Sequence, residues 1–283
     1  MADFQERRYL AEDGLSLYYR DYGDPLSPAP PLLCLPGLTR NSRDFHGLAS
    51  RLGQGRRVVC PDYRGRGRSD YDPDPANYHP KVHINDLRHL MTAAGLQRAV
   101  VIGTSFGGFL SMGLALATPS AIGAVVLNDV GPEVTDSGLR RIMNYIGRDH
   151  PLPDWGAAVA EMKRMFPKLS FQTDEEWLAG ARGTWRKGED GMLHFDWDIR
   201  LAGAIAEARH DFDPWTLFRA LGGVPVLALR GGISDVLSSE ILDRMQREHP
   251  ALTAVTVPGV GHPLSLSEPQ AVEALDEFLD RYH

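Results

Sequence analysis

The run Val100-Val101-Ile102-Gly103-Thr104-Ser105-Phe106-Gly107-Gly108-Phe109-Leu110 constrains this chain more than any other stretch. An apolar, β-branched segment ends in Gly-x-Ser-x-Gly, and an apolar helix-like segment begins at once. That pattern describes a buried parallel strand that turns sharply at a serine into a helix. Ser105 then has a strained backbone, and Gly103 and Gly107 are needed because side chains there would collide with neighbouring backbone. The helix start beneath the serine supplies free N–H groups and a positive dipole end, where an oxyanion can settle. The pentapeptide alone carries little weight. Glycine is 29 of 283 residues, so a chain of this composition shows such a match by chance about 0.15 times. Its weight comes from context: strand before, helix after, acid and base downstream.

The rest of the chain is that of an ordinary soluble globular protein, 43% hydrophobic and 24% charged. A net charge of −7 and the lack of a basic tract argue against nucleic acid and anionic membranes as partners. The opening Met-Ala-Asp-Phe-Gln-Glu-Arg-Arg has no apolar centre, so no signal peptide is expected, and no apolar run reaches membrane-spanning length. Cys34 and Cys60 fall in predicted buried strands and read as reduced core thiols. A cytoplasmic protein with a small-molecule substrate is the expectation, and a homo-oligomer stays open.

Strand and helix patterns alternate along most of the chain. Arg7 to Leu10 and Leu15 to Asp21 predict a hairpin, Leu32 to Leu35 a buried strand, and Asp44 to Leu52 a helix. Val58 to Cys60 predicts a strand, Lys81 to Ala94 a helix, and Ala124 to Leu127 the strand after the Ser105 helix. Alternation stops at Gly131 and resumes with Val224 to Leu229, a helix from Ser238, Thr253 to Val257, and a last helix from Pro269. The intervening stretch is amphipathic and helical, and carries Trp155, Trp177, Trp185 and Trp197. An α/β core of residues 1–130 and 214–283 is therefore interrupted by a helical insertion, 131–213. An amphipathic insertion at the carboxyl edge of the sheet predicts a cap over Ser105 with a mostly apolar pocket. Arg140, Arg141 and Arg164 fall on its polar helix faces by periodicity.

A serine hydroxyl needs a base that titrates near neutrality. His262, in Pro258-Gly259-Val260-Gly261-His262-Pro263 after the last strand, is best placed among the ten histidines. The histidine needs an acid to hold its tautomer. Asp235, in Gly231-Gly232-Ile233-Ser234-Asp235, is preferred because it gives the chain order Ser105, Asp235, His262. Asp129, ending the strand after the serine helix, is the alternative. The oxyanion hole is expected from the backbone N–H groups of Phe106 and Leu38. His79 and His83 have metal-like spacing, but Pro80 lies between them and no third ligand is evident, so no metal is expected. Arg64, Arg66 and Arg68 suit an anion site or, more often, ties between loops.

Leu35-Pro36-Gly37, Asp62-Tyr63-Arg64-Gly65-Arg66-Gly67-Arg68-Ser69, Gly103-Thr104-Ser105-Phe106-Gly107-Gly108, Ser234-Asp235 and Gly261-His262 span almost the whole chain. In these stretches the sequence resembles the α/β-hydrolase superfamily with a helical cap. The resemblance implies an eight-stranded, mostly parallel sheet with helices on both faces, and no cofactor. It is most similar to the group of carboxylesterases, enol-lactonases and carbon–carbon bond hydrolases. A serine in the elbow departs from dehalogenases and epoxide hydrolases of this fold, which need a carboxylate nucleophile. Pro263 after the histidine departs from ring-cleavage-product hydrolases, which usually carry tryptophan there. The expected function is hydrolysis of esters or lactones. The alternatives are carbon–carbon bond hydrolysis of diketones and a non-catalytic small-molecule receptor on the same fold.

Overall fold

A computed structural model describes residues 4–208 and 213–282. The chain opens with β1 (Phe4–Leu10), β2 (Ser16–Tyr22) and β3 (Leu32–Leu35), then a 3-10 turn (Ser42–Phe45) leading into α1 (His46–Leu52). There follow β4 (Val58–Pro61), α2 (Pro80–Ala93), β5 (Ala99–Thr104), α3 (Phe106–Ala117) and β6 (Ile122–Asn128). The inserted segment holds α4 (Asp136–Ile146), α5 (Trp155–Met165), α6 (Asp174–Thr184), the strands β7 (Trp185–Lys187) and β8 (Leu193–Phe195), and α7 (Leu201–Ala208). The core resumes with α8 (Pro214–Arg219), β9 (Val226–Gly231), α9 (Ser239–Glu248), β10 (Leu252–Val257) and α10 (Pro269–Leu279). None of the described helices is long and apolar enough to cross a membrane.

Eight strands form one sheet in the order β1-β2-β4-β3-β5-β6-β9-β10. Only the first two pairings are antiparallel; β4 onward is parallel. The central strands are apolar throughout because both faces are covered. Leu33, Leu35 and Val101 enter one core with α2 and α3, while Leu32, Cys34, Val100 and Ile102 enter the other with α1 and α10. Cys34 and Cys60 are free thiols in that second core. From β3 the chain moves to β4 on one side, then crosses to β5 on the other. The loops after β3 and β5 therefore diverge, which opens a crevice at their carboxyl ends.

The inserted segment has its own apolar cluster, in which Phe195 stacks between Trp185 and Trp197 at ring distances of 5.5 and 3.9 Å. The sequence pattern shows its helices but not the short β7–β8 hairpin. The segment is tied to the core from several sides. Asn41 Nδ2 donates to Gly183 O at 2.9 Å, Asp198 N to Gly65 O at 2.8 Å, and Gly261 N to Lys168 O at 2.9 Å.

Candidate active site

Ser105 stands between β5 and α3 with φ 52° and ψ −115°, the strained turn expected of it. Gly107 permits the turn: a Cβ there would lie 2.1 Å from Leu35 O, so any side chain would push away the loop after β3. Ser105 N donates to Asn128 O at 3.1 Å, which fastens the turn to the end of β6.

His262 reaches Ser105 by folding the loop after β10 back over the sheet edge. Its Nε2 lies 3.0 Å from Ser105 Oγ, and its Nδ1 lies 2.8 Å from Asp129 Oδ2. The sequence favours Asp235 as the acid, and the structure corrects that. Asp129 is fully buried and also accepts Gly231 N–H at 2.8 Å and the Ser234 hydroxyl at 2.7 Å. A carboxylate accepts only, so it fixes the proton on Nδ1 and leaves Nε2 free to accept from the serine.

Asp235 is displaced for a steric reason. The histidine loop crosses the end of β9, where a Cβ on Gly231 would meet Val260 O at 2.6 Å and Gly261 O at 2.8 Å. The chain beyond Gly231 runs alongside that loop, with Ile233 N donating to Val260 O at 3.0 Å, and Asp235 turns to the inserted segment. There it accepts Arg141 Nε at 2.7 Å and Nη2 at 2.9 Å. Burial works to raise the Asp235 carboxyl, but the hydrogen bonds and charge of Arg141 outweigh it and hold it below its usual range. β6 lies directly beside β5, so Asp129, the residue that follows it, is under the ring.

The N–H groups of Leu38 and Phe106, the expected oxyanion donors, have no protein acceptor among the described residues. The loop that carries Leu38 passes within 4.0 Å of the serine: that is the gap between Ser105 Cβ and a Cβ built on Gly37. This loop is held from behind. The Tyr63 hydroxyl donates to Pro36 O at 3.0 Å, and Arg66 Nε donates to Leu38 O at 2.9 Å.

Arg66 is fully buried and meets no carboxylate among the described residues; its Nη1 donates to Arg64 O at 2.7 Å, and its guanidinium lies 5.8 and 5.6 Å from the Tyr63 and Tyr78 rings. Burial pulls its pKa down to about 10, which leaves it charged at neutral pH. Arg64 forks onto Asp86, and Arg68 pairs with Glu6, so the arginine loop ties neighbouring segments. His79 and His83 are not brought together as ligands. His79 caps α2 by accepting Lys81 N–H at 3.1 Å. His83 is buried against Tyr63 and Phe106, and burial with the Arg66 and Arg64 charges keeps it well below its ordinary pKa.

On the inserted segment, Arg140 and Arg164 are exposed as expected, and Arg164 pairs with Glu161. Arg141 is not: it points at the core. Tyr145, one turn on, packs in the same apolar cluster as Leu38. A surface hollow of about 640 Å³ lined by Leu10, His89, Leu96 and Ala121 opens at the amino-terminal ends of β5 and β6, on the edge opposite Ser105.

The fold is that of α/β hydrolases. A model of the alpha/beta hydrolase family matches residues 32–275, and the chain belongs to that family. It is 34% identical over 269 residues to a 3-hydroxybutyrate-oligomer hydrolase of Cupriavidus necator, covering 92% of this chain and 91% of the relative. It is 27% identical over 253 residues to a 2-(acetamidomethylene)succinate hydrolase of Mesorhizobium japonicum, covering 89% and 88%. An α/β hydrolase crystal structure from Novosphingobium aromaticivorans superposes with a TM-score of 0.92 at 42% identity over 99% of both chains.

Proposed function

We propose that this hydrolase cleaves carboxylic esters or lactones through an acyl-enzyme on Ser105, with His262 as base, Asp129 as acid and no cofactor. The observation that carries the reading is the unbroken chain Ser105 Oγ, His262 Nε2, His262 Nδ1, Asp129 Oδ2, with links of 3.0 and 2.8 Å. His262 takes the serine proton as Oγ attacks the carbonyl, and the developing oxyanion settles on the Leu38 and Phe106 N–H groups. His262 then gives that proton to the leaving alkoxide. Water repeats the sequence on the acyl-enzyme, with His262 again as base. The inserted segment 131–213 acts as the cap, bringing Leu38, Ile142, Met143 and Phe166 into one apolar cluster. The Cupriavidus relative is named for oligomers of a hydroxy acid, units that ester bonds join, which supports ester chemistry here.

Labelling by a fluorophosphonate tests the reading. Ser105 should carry the adduct, and Ser105→Ala should lose both the label and about 10⁴- to 10⁶-fold of p-nitrophenyl acetate turnover. Label on another residue, or turnover within tenfold of wild type, would sink it.

A further inference from the structure

Three arginines of this protein use their forks alike. Arg40, Arg57 and Arg64 each hold one carboxylate across Nε and Nη2: Asp44, Asp21 and Asp86 respectively. In each, Nη1 meets a further acceptor: the Thr184 hydroxyl for Arg40, Ala94 O for Arg57, and the Asp13 and Asp72 carboxylates for Arg64. Arg141 holds Asp235 across Nε and Nη2 in the same manner, yet its Nη1 has no protein acceptor among the described residues, an open edge otherwise seen in the surface pair Arg164–Glu161. Its side chain is 26% exposed, against 72% for Arg164.

The place of that open edge matters. Ser234, next to Asp235, donates to the acid Asp129, so the Arg141–Asp235 pair sits on the acid side of the site. Gly138, one turn earlier in α4, lets the helix rest directly on the Asp235 backbone, where a Cβ would come within 2.4 Å of Asp235 O. Tyr145, one turn later, packs in one apolar cluster with Leu38 on the oxyanion side. Phe166 lies between them, 6.0 Å from the Arg141 guanidinium and 5.7 Å ring to ring from Tyr145. One face of α4 thus meets the Asp235 loop on the acid side and shares an apolar cluster with Leu38, with one guanidinium edge unfilled.

We propose that Arg141 binds a carboxylate of the substrate through this edge, which makes esters of carboxylate-bearing acids the preferred substrates. The inference rests on the serine-ester reading above. A guanidinium has five N–H donors, and Asp235 takes two, so Nη1 and the second Nη2 hydrogen can grip another carboxylate as a fork. Arg64 shows within this molecule that both edges can be occupied at once, Asp86 on one and the Asp13 and Asp72 carboxylates on the other. Asp235 is a positioning residue: it holds the guanidinium in place and neutralises it while the site is empty. The sequence-based expectation of arginines turned away from a neutral pocket is reversed at Arg141 alone.

Two measurements decide it. The first is the ratio of kcat/KM for mono-p-nitrophenyl glutarate, an anion, to that for the neutral p-nitrophenyl valerate. Arg141→Gln should lower this ratio about ten- to hundredfold, the effect of one charge-assisted pair. An equal loss on both esters, or a ratio unchanged within threefold, would overturn the inference and leave Arg141 as a tie between segments. The second needs no turnover: calorimetric binding of mono-p-nitrophenyl glutarate to Ser105→Ala. Adding Arg141→Gln should raise Kd at least tenfold, and an unchanged Kd would overturn the inference. If wild type hydrolyses neither ester and Ser105 is not labelled, the ester reading has failed, and the binding result still decides the role of Arg141.

Discussion

Asparagine in place of Asp129 keeps the size and burial of the side chain and changes one thing, its hydrogen-bonding polarity. Gly231 N–H points at Oδ1 from 2.8 Å and can only donate, so the amide oxygen must occupy that position. The amide nitrogen then falls at the Oδ2 site, 2.8 Å from His262 Nδ1. Facing an N–H, Nδ1 must become an acceptor, and the ring proton moves to Nε2. From there, 3.0 Å from Ser105 Oγ, Nε2 can no longer accept the serine proton. An error of tautomer costs about 10⁴ in kcat in the serine proteases, which is about 5.5 kcal/mol at 1.36 kcal/mol per factor of ten. Initial rates on p-nitrophenyl acetate measure it, with near-ultraviolet circular dichroism to show that the fold survives. Asp235→Asn should lose less than tenfold on the same neutral ester. Asp129→Asn within tenfold of wild type, or an equal collapse in Asp235→Asn, would refute the reasoning.

Arg66→Met should lower kcat about ten- to hundredfold with a smaller change in KM, because Leu38 keeps its N–H but loses the bond that aims it; deleting such a donor outright costs about 10²- to 10³-fold. A lower Tm with kcat intact would mean that Arg66 serves packing alone. Asp196, bonded to Asn41 and Arg43 at the join of inserted segment and core, gives a pH signature. Burial pushes its carboxyl up to about 6 against the pull of the Arg43 charge, above the value near 3.9 of an unfolded chain. The folded state therefore binds this proton more tightly, so its contribution to stability is full below about pH 4 and lost as pH rises through about 6. Asp196→Asn should flatten the fall in Tm between pH 4 and 6.5; an unchanged slope would remove Asp196 as its source.

The sequence by itself determined the elements whose causes are local. The apolar run into Gly103-Thr104-Ser105-Phe106-Gly107 fixes strand, turn and helix through neighbouring residues, and alternating patterns gave the order of the core. His262 was legible because a loop after the last strand has one edge of the sheet to return to. The acid was not, because chain order does not reveal strand order. Asp129 and Asp235 both follow strands, but β6 lies between β5 and β9. The histidine loop closes over the end of β9, and only tertiary packing sets which carboxylate lies beneath the ring. The direction of Arg141 is decided in the same way. Periodicity assigns a residue to a face of α4, while the surface that α4 meets depends on Gly138 resting on the Asp235 loop. The buried charge of Arg66 is tertiary too: its sequence neighbours Arg64 and Arg68 look alike, and only the carbonyl of Leu38, 28 residues away, gives it a task at the site.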